Sequence, residues 1–150
     1  MHKRRSTGML ILVELGAEWP EMSELRASGR RVLSQGEGES PAAFAARVSA
    51  QLESLFGRGI TLNTTVLACN ERLDEAAQRA RRELVRGVLG SMAVRRSSHL
   101  YLSASERSSG RLRAGLSSLA TDLALEWAGS GIETSVRFGA DLAPARRKVA

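Results

Sequence analysis

The segment Ser103-Ala-Ser-Glu-Arg-Ser-Ser-Gly-Arg-Leu-Arg113 gathers the residue types best suited to grip a phosphate. It offers hydroxyl donors at Ser105, Ser108 and Ser109, a glycine at Gly110, and guanidinium groups at Arg107, Arg111 and Arg113. A helical pattern follows at once, so the free backbone N–H groups of a helix start join those side chains, a combination that favours anions. The same residues serve a simpler end if the serines only cap the helix and the arginines only meet solvent. Asn70-Glu-Arg72, after an earlier apolar run, can reach a base, ribose or phosphate brought to the same place, or Asn70 can simply turn the chain.

Other chemistries find less support. Cys69 is the only cysteine, which excludes an intramolecular disulfide and points to a reducing compartment, so a cytoplasmic location is expected. One cysteine with His2 and His99 makes no metal cluster. No Gly-x4-Gly-Lys-Ser/Thr loop is present, and Gly36-Glu-Gly38 lacks the third glycine of a dinucleotide fingerprint and is expected to lack the strand immediately before it. No serine or cysteine has a histidine or aspartate at a spacing that marks a nucleophile. A non-catalytic module is therefore expected, with Glu14 the one acid to watch.

Charge narrows the partners. The chain carries 22 basic and 16 acidic residues, a net charge of +6. Lys3, Arg4, Arg5, Arg146, Arg147 and Lys148 account for the whole excess, so tails contribute non-specific nucleic-acid contact at most. Inside the balanced body, residues 72–113 hold ten arginines against four acids, an arginine-rich face that suits an acidic protein partner. No apolar run approaches the ~20 residues that cross a membrane, and the basic start lacks the run and cleavage site of an export signal.

The elements that must position these residues alternate in period. Met9–Leu15, Ile60–Cys69, Leu100–Ala104 and Ile132–Phe138 read as strands, and Arg30–Ser34 as a short strand or part of a helix. Met9–Val13 is apolar without alternation, which predicts the central strand of a parallel sheet. Ser40-Pro41 opens a helix that runs to Gly57, Asp74 opens a second, and Ser108 or Ser109 a third that runs to Gly129. Glu21–Ala27 reads as one short helix. Ile132–Phe138 alternates, which predicts an edge strand able to pair with a second copy in a homodimer. The expected fold is a single three-layer α/β domain over residues 9–139, with a mostly parallel sheet of four to five strands flanked by helices and the last strand at an edge. Residues 1–8 and 140–150 are expected to be basic tails. Ligands of such a sheet bind beyond the carboxyl ends of its strands, which brings Glu14–Glu18, Cys69–Leu73 and Ser103–Arg113 together.

Ile11-Leu-Val13, Ile60–Cys69 with the charged helix after it, and Leu100–Leu119 follow one another in an order that resembles the universal stress proteins. Those are small α/β domains, usually dimeric, some of which bind ATP. Their nucleotide motif is Gly, two residues, Gly, nine residues, then Gly-Ser or Gly-Thr. Laid on Ala104, Arg107, Ser117 and Ser118, it agrees at Ser118 alone. The resemblance implies a stress-related regulatory module that takes ATP or another phosphate-bearing ligand through this loop, requires no cofactor for catalysis, and adds Ser118 to the candidate site.

Overall fold

The computed structural model describes residues 7–27, 31–92 and 98–139. Five strands, β1 (Thr7–Val13), β2 (Arg31–Ser34), β3 (Thr61–Ala68), β4 (Ser98–Ala104) and β5 (Ile132–Phe138), form one all-parallel sheet in the order β2-β1-β3-β4-β5. Parallel neighbours need crossovers. Helices α1 (Met22–Arg26), α2 (Pro41–Gly57), α3 (Glu75–Met92) and α4 (Gly110–Glu126) lie in the four connections. Residues 1–6 and 140–150, most of the two expected tails, fall outside the described residues, and β1 starts two residues ahead of the expected domain start.

Each helix has a local cause. Ser40 accepts a hydrogen bond from the Ala43 N–H at 3.0 Å and Pro41 takes the first helical position, which starts α2. Ser109 does the same for α4 through the Leu112 N–H at 3.1 Å. Gly59 and Gly129 adopt positive φ beyond the ends of α2 and α4, a conformation open to glycine without strain. The apolar stripes of α2, α3 and α4 (Phe44, Val48 and Leu52; Leu84, Val88 and Leu89; Leu112, Leu116 and Leu123) bury against Leu10, Leu12, Leu67, Leu100 and Leu102. The opposite face carries Met9, Ile11, Val13, Val66, Ala68 and Tyr101, packed with Trp19, Met22 and Leu25 of the short α1 segment.

One expectation needs correction. β1 is interior, but the middle strand is β3. A continuous apolar run marks a strand buried on both faces, a condition that β1, β3 and β4 share, so it does not rank one interior strand above another. β3 hides its central place behind threonines, of which Thr65 is fully buried. β5 is an edge strand as expected, and Arg31–Ser34 is the opposite edge, so contrary to expectation a strand does end just before Gly36, although the third glycine of a dinucleotide fingerprint is still missing.

Candidate functional site

Register aligns the strand ends. Val13 pairs with Ala68, and Ala68 with Ser103, so the chains leaving β1, β3 and β4 emerge side by side. The connection from β1 runs outward to β2, whereas β3 lies on its other side, which makes this end of the β1/β3 pair the switch point where such sheets open a crevice. A cavity of about 590 Å³ opens there, lined by Leu15, Gly16, Glu18, Trp19, Pro20, Asn70, Glu71, Arg72, Ser105 and Arg107.

Outside its lining, bonded to the Asn70 turn, lies a locked ion pair. Arg81, fully buried on α3, donates from Nε to Glu14 Oε2 at 2.7 Å and from Nη2 to Glu14 Oε1 at 3.1 Å. Nη2 also reaches the Asn70 carbonyl and Oδ1, both at 3.1 Å, and Nη1 donates to Gln78 Oε1 at 2.7 Å. Glu14 accepts a further bond from the Asn70 N–H at 2.8 Å. Asn70 Nδ2 closes the ring onto the Leu15 carbonyl at 2.9 Å, and its Oδ1 accepts the Arg72 N–H at 2.9 Å. The ends of β1 and β3 and the first turns of α3 are thereby one unit, with Glu14 and Asn70 fully occupied in holding it. The Trp19 indole, packed on the opposite face of the sheet from the Cys69 side chain, donates to the Cys69 carbonyl at 2.9 Å. Burial, with the Glu14 carboxylate nearby, pushes the Cys69 thiol far above its ordinary pKa. Its complete burial suits a structural cysteine.

The wall contributed by β4 is held more lightly. Ser105 donates its hydroxyl to Glu21 Oε1 at 3.0 Å and accepts the Arg107 N–H at 3.0 Å, and Glu106 N–H donates to Glu21 Oε2 at 3.0 Å. Burial acts to raise the Glu21 pKa, but the Glu106 N–H, Glu21's own backbone N–H, the Ser105 hydroxyl and the nearby Arg107 guanidinium together hold it below the ordinary carboxylate value. Arg107 is exposed at the rim. Arg72 is also at the rim, where both Asp74 oxygens accept from its Nη2 at 2.7 and 3.0 Å.

Of the residues expected to form a ligand site, Asn70 and Ser105 line the crevice. Ser108 donates to the Ser105 carbonyl at 2.6 Å, which shapes the loop, and Ser109 caps α4. Gly110 and Arg111 are exposed on the first turn of α4. Arg113 turns back onto the loop: Nε meets the Ser108 carbonyl at 3.2 Å, Nη2 meets the Glu106 carbonyl, and the guanidinium lies 4.3 Å from the Phe138 ring centroid. Ser118 is exposed in the middle of α4. Arg81 and Glu21 were not singled out by the sequence. Arg81 did leave a signal, since it sits among Ala77, Leu84 and Val88 on the apolar stripe of α3, where a buried cation demands a partner. Glu21 left none.

The arginine face of α3 is largely paired. Arg82 meets Asp122 at 2.7 Å, Arg86 meets Glu126 at 2.7 Å, and Arg79 meets Glu75 at 3.5 Å. A further cluster sits near the amino end of β4, away from the crevice. His99 Nε2 is 2.9 Å from Ser135 Oγ and Nδ1 is 3.5 Å from Glu133, in the serine–histidine–acid order. The Glu133 side chain is 80% exposed, so the acid that should fix the imidazole is left to water.

Among the described residues, no helix is long and apolar enough to cross a membrane, and no group of three or more His, Cys, Asp or Glu is placed to hold a metal ion. No protein-family model and no curated protein matches this chain.

Proposed function

We propose that this protein is a non-catalytic regulatory module that binds a phosphate-bearing small ligand, a nucleotide such as ATP, at the carboxyl ends of β1, β3 and β4. The observation that carries the reading is the crevice at the switch point, with the Arg107 guanidinium and the Ser105 loop on one side and Arg72 with the Asn70 turn on the other. Guanidinium groups and loop N–H donors suit phosphate oxygens, and the Trp19 and Pro20 side of the cavity offers an apolar surface for a base. The order of elements, similar to that of the universal stress proteins, makes ATP the first nucleotide to try. The arginine face of α3 has less to offer an acidic partner, because Asp122 and Glu126 already meet two of its cations.

Calorimetric titration of the folded protein with ATP, ADP, AMP and inorganic phosphate tests this. Saturable binding is expected for ATP. Arg107→Ala should weaken it by about 10- to 100-fold, the worth of a charge-assisted hydrogen bond, whereas Arg111→Ala, outside the crevice, should leave it unchanged. No heat with any of the four overturns the reading.

A second reading concerns self-association. β5 is an edge strand, and Leu125 beside it on α4 is 73% exposed. Two copies pairing along β5 would cover that leucine. Light scattering that shows only monomer at high protein concentration rules this out.

A further inference from the structure

Glu21 immediately precedes α1, yet its carboxylate reaches the loop after β4, across 84 residues of sequence. It rests on two neutral donors, the Ser105 hydroxyl and the Glu106 N–H, with Arg107 near enough to favour its charge. The Ser105 oxygen also accepts the Arg107 N–H, which polarises the hydroxyl toward the carboxylate. This is an anion receptor with an anion already in it. Ser105 and Arg107 line the crevice while Glu21 and Glu106 stand just outside its lining, so the receptor adjoins the proposed ligand through the Ser105 hydroxyl. Glu14, behind the Asn70 turn, is different: a buried guanidinium grips it, and no incoming ligand can replace that partner without stranding a buried charge.

We propose that the Glu21 carboxylate is an internal stand-in for the ligand's phosphate, seated on the Ser105 hydroxyl and the Glu106 N–H and displaced when a phosphate-bearing ligand enters the crevice. The inference rests on the reading of that crevice as a phosphate site. A phosphate brings more charge and more acceptor oxygens than a carboxylate, so it competes for the same donors, and Arg107 supplies the added attraction. With Glu21 seated, Glu18 and Glu71 already offset Arg72 and Arg107 along the lining. Asp74 also holds Arg72, so the departure of Glu21 removes one negative charge beside Arg107 without making the lining net cationic. Ligand affinity is then reduced by the fraction of molecules in which the carboxylate holds the seat, and weak or competing anions are kept out.

The test is calorimetric titration of ATP into the wild type, Glu21→Ala, Glu21→Gln and Glu18→Gln. Glu18 lines the same crevice but makes no contact with the loop donors, so its variant measures the effect of charge alone. Glu21→Ala should bind ATP about tenfold more tightly than the wild type, as expected if the seated form dominates, with a smaller gain for Glu21→Gln, whose oxygen still fits the donors. Glu18→Gln should change affinity by about twofold or less, as a screened exposed charge would. Wild-type binding that Glu21→Ala leaves equal or weaker overturns the displacement, and so does a gain no larger than that of Glu18→Gln. No binding by any of the four proteins overturns the phosphate reading as well, a distinct outcome. The Glu106 amide resonance of the wild type provides a readout free of any substitution. It should follow the Glu21 titration without ATP and lose that dependence with ATP bound; a titration retained at saturating ATP overturns the proposal.

Discussion

Glu14 and Glu21 stand at the same end of one sheet, and the protein holds them by different means. Glu14 is nearly buried and gripped twice by Arg81, whose side chain has no exposure at all. Glu21 is only part-buried and rests on a hydroxyl and an amide. The first arrangement is permanent, since removing either partner leaves an uncompensated charge in a low dielectric. The second can be exchanged, because water or another anion can take over either side of it. The comparison separates the part of this crevice that builds the fold from the part available to a ligand.

Breaking the Glu14–Arg81 pair should have the largest effect. Arg81→Met is expected to lower stability by about 3–5 kcal/mol in chemical denaturation, whereas Glu14→Met combined with Arg81→Met recovers most of that loss. If the single substitution costs no more than a surface ion pair, the buried pair is not what fixes β1 to β3. Cys69 reports on the same region. Buried in the core that α2, α3 and α4 pack onto the sheet, with its thiol pKa raised by burial, it should resist a thiol reagent until the whole protein unfolds. Labelling faster than global unfolding would mean that the end of β3 opens by itself.

The β4 wall should respond more gently. Ser105→Ala removes the hydroxyl that links Arg107 and Glu21, at an expected cost of about 1 kcal/mol in the same denaturation assay. Acid sharpens the contrast further. The Glu21 pKa is lowered in the folded protein, so its contribution to stability is full above the unfolded value near 4.5 and fades as pH falls through the lower folded value. Glu39, which Arg47 holds through two hydrogen bonds, behaves likewise with its pKa lowered to about 2. Stability measured from pH 5 down to about 2 should therefore decline less steeply in Glu21→Gln and Glu39→Gln than in the wild type. A slope unchanged by either substitution would show that these contacts are not kept in solution.

The strands and long helices were legible because burial imposes period and caps impose residue type. Ile132–Phe138 is bounded in the structure as its alternation predicts, and Ser40-Pro41 starts α2 as that pair requires. The strand order was not legible: periodicity reports how a residue faces its neighbours, not which strand those neighbours belong to. The same limit governs the site. Serines and arginines identified the β4–α4 loop, but composition does not tell which of them turn inward. Arg113, drawn to carbonyls and the Phe138 ring, and Ser109, spent on a cap, read the same in sequence as Ser105, which lines the crevice. Glu21 was invisible because its meaning comes from a contact between α1 and a loop far along the chain.

The central claim, a phosphate ligand in the crevice between the Asn70 turn and the Ser105 loop, is tested most directly by amide chemical-shift mapping of the labelled protein during an ATP titration. The account predicts saturable shifts greatest at Asn70–Arg72 and Ser105–Arg107. Shifts that are absent, or that centre on Arg79, Arg82 and Arg86 of α3, would contradict it.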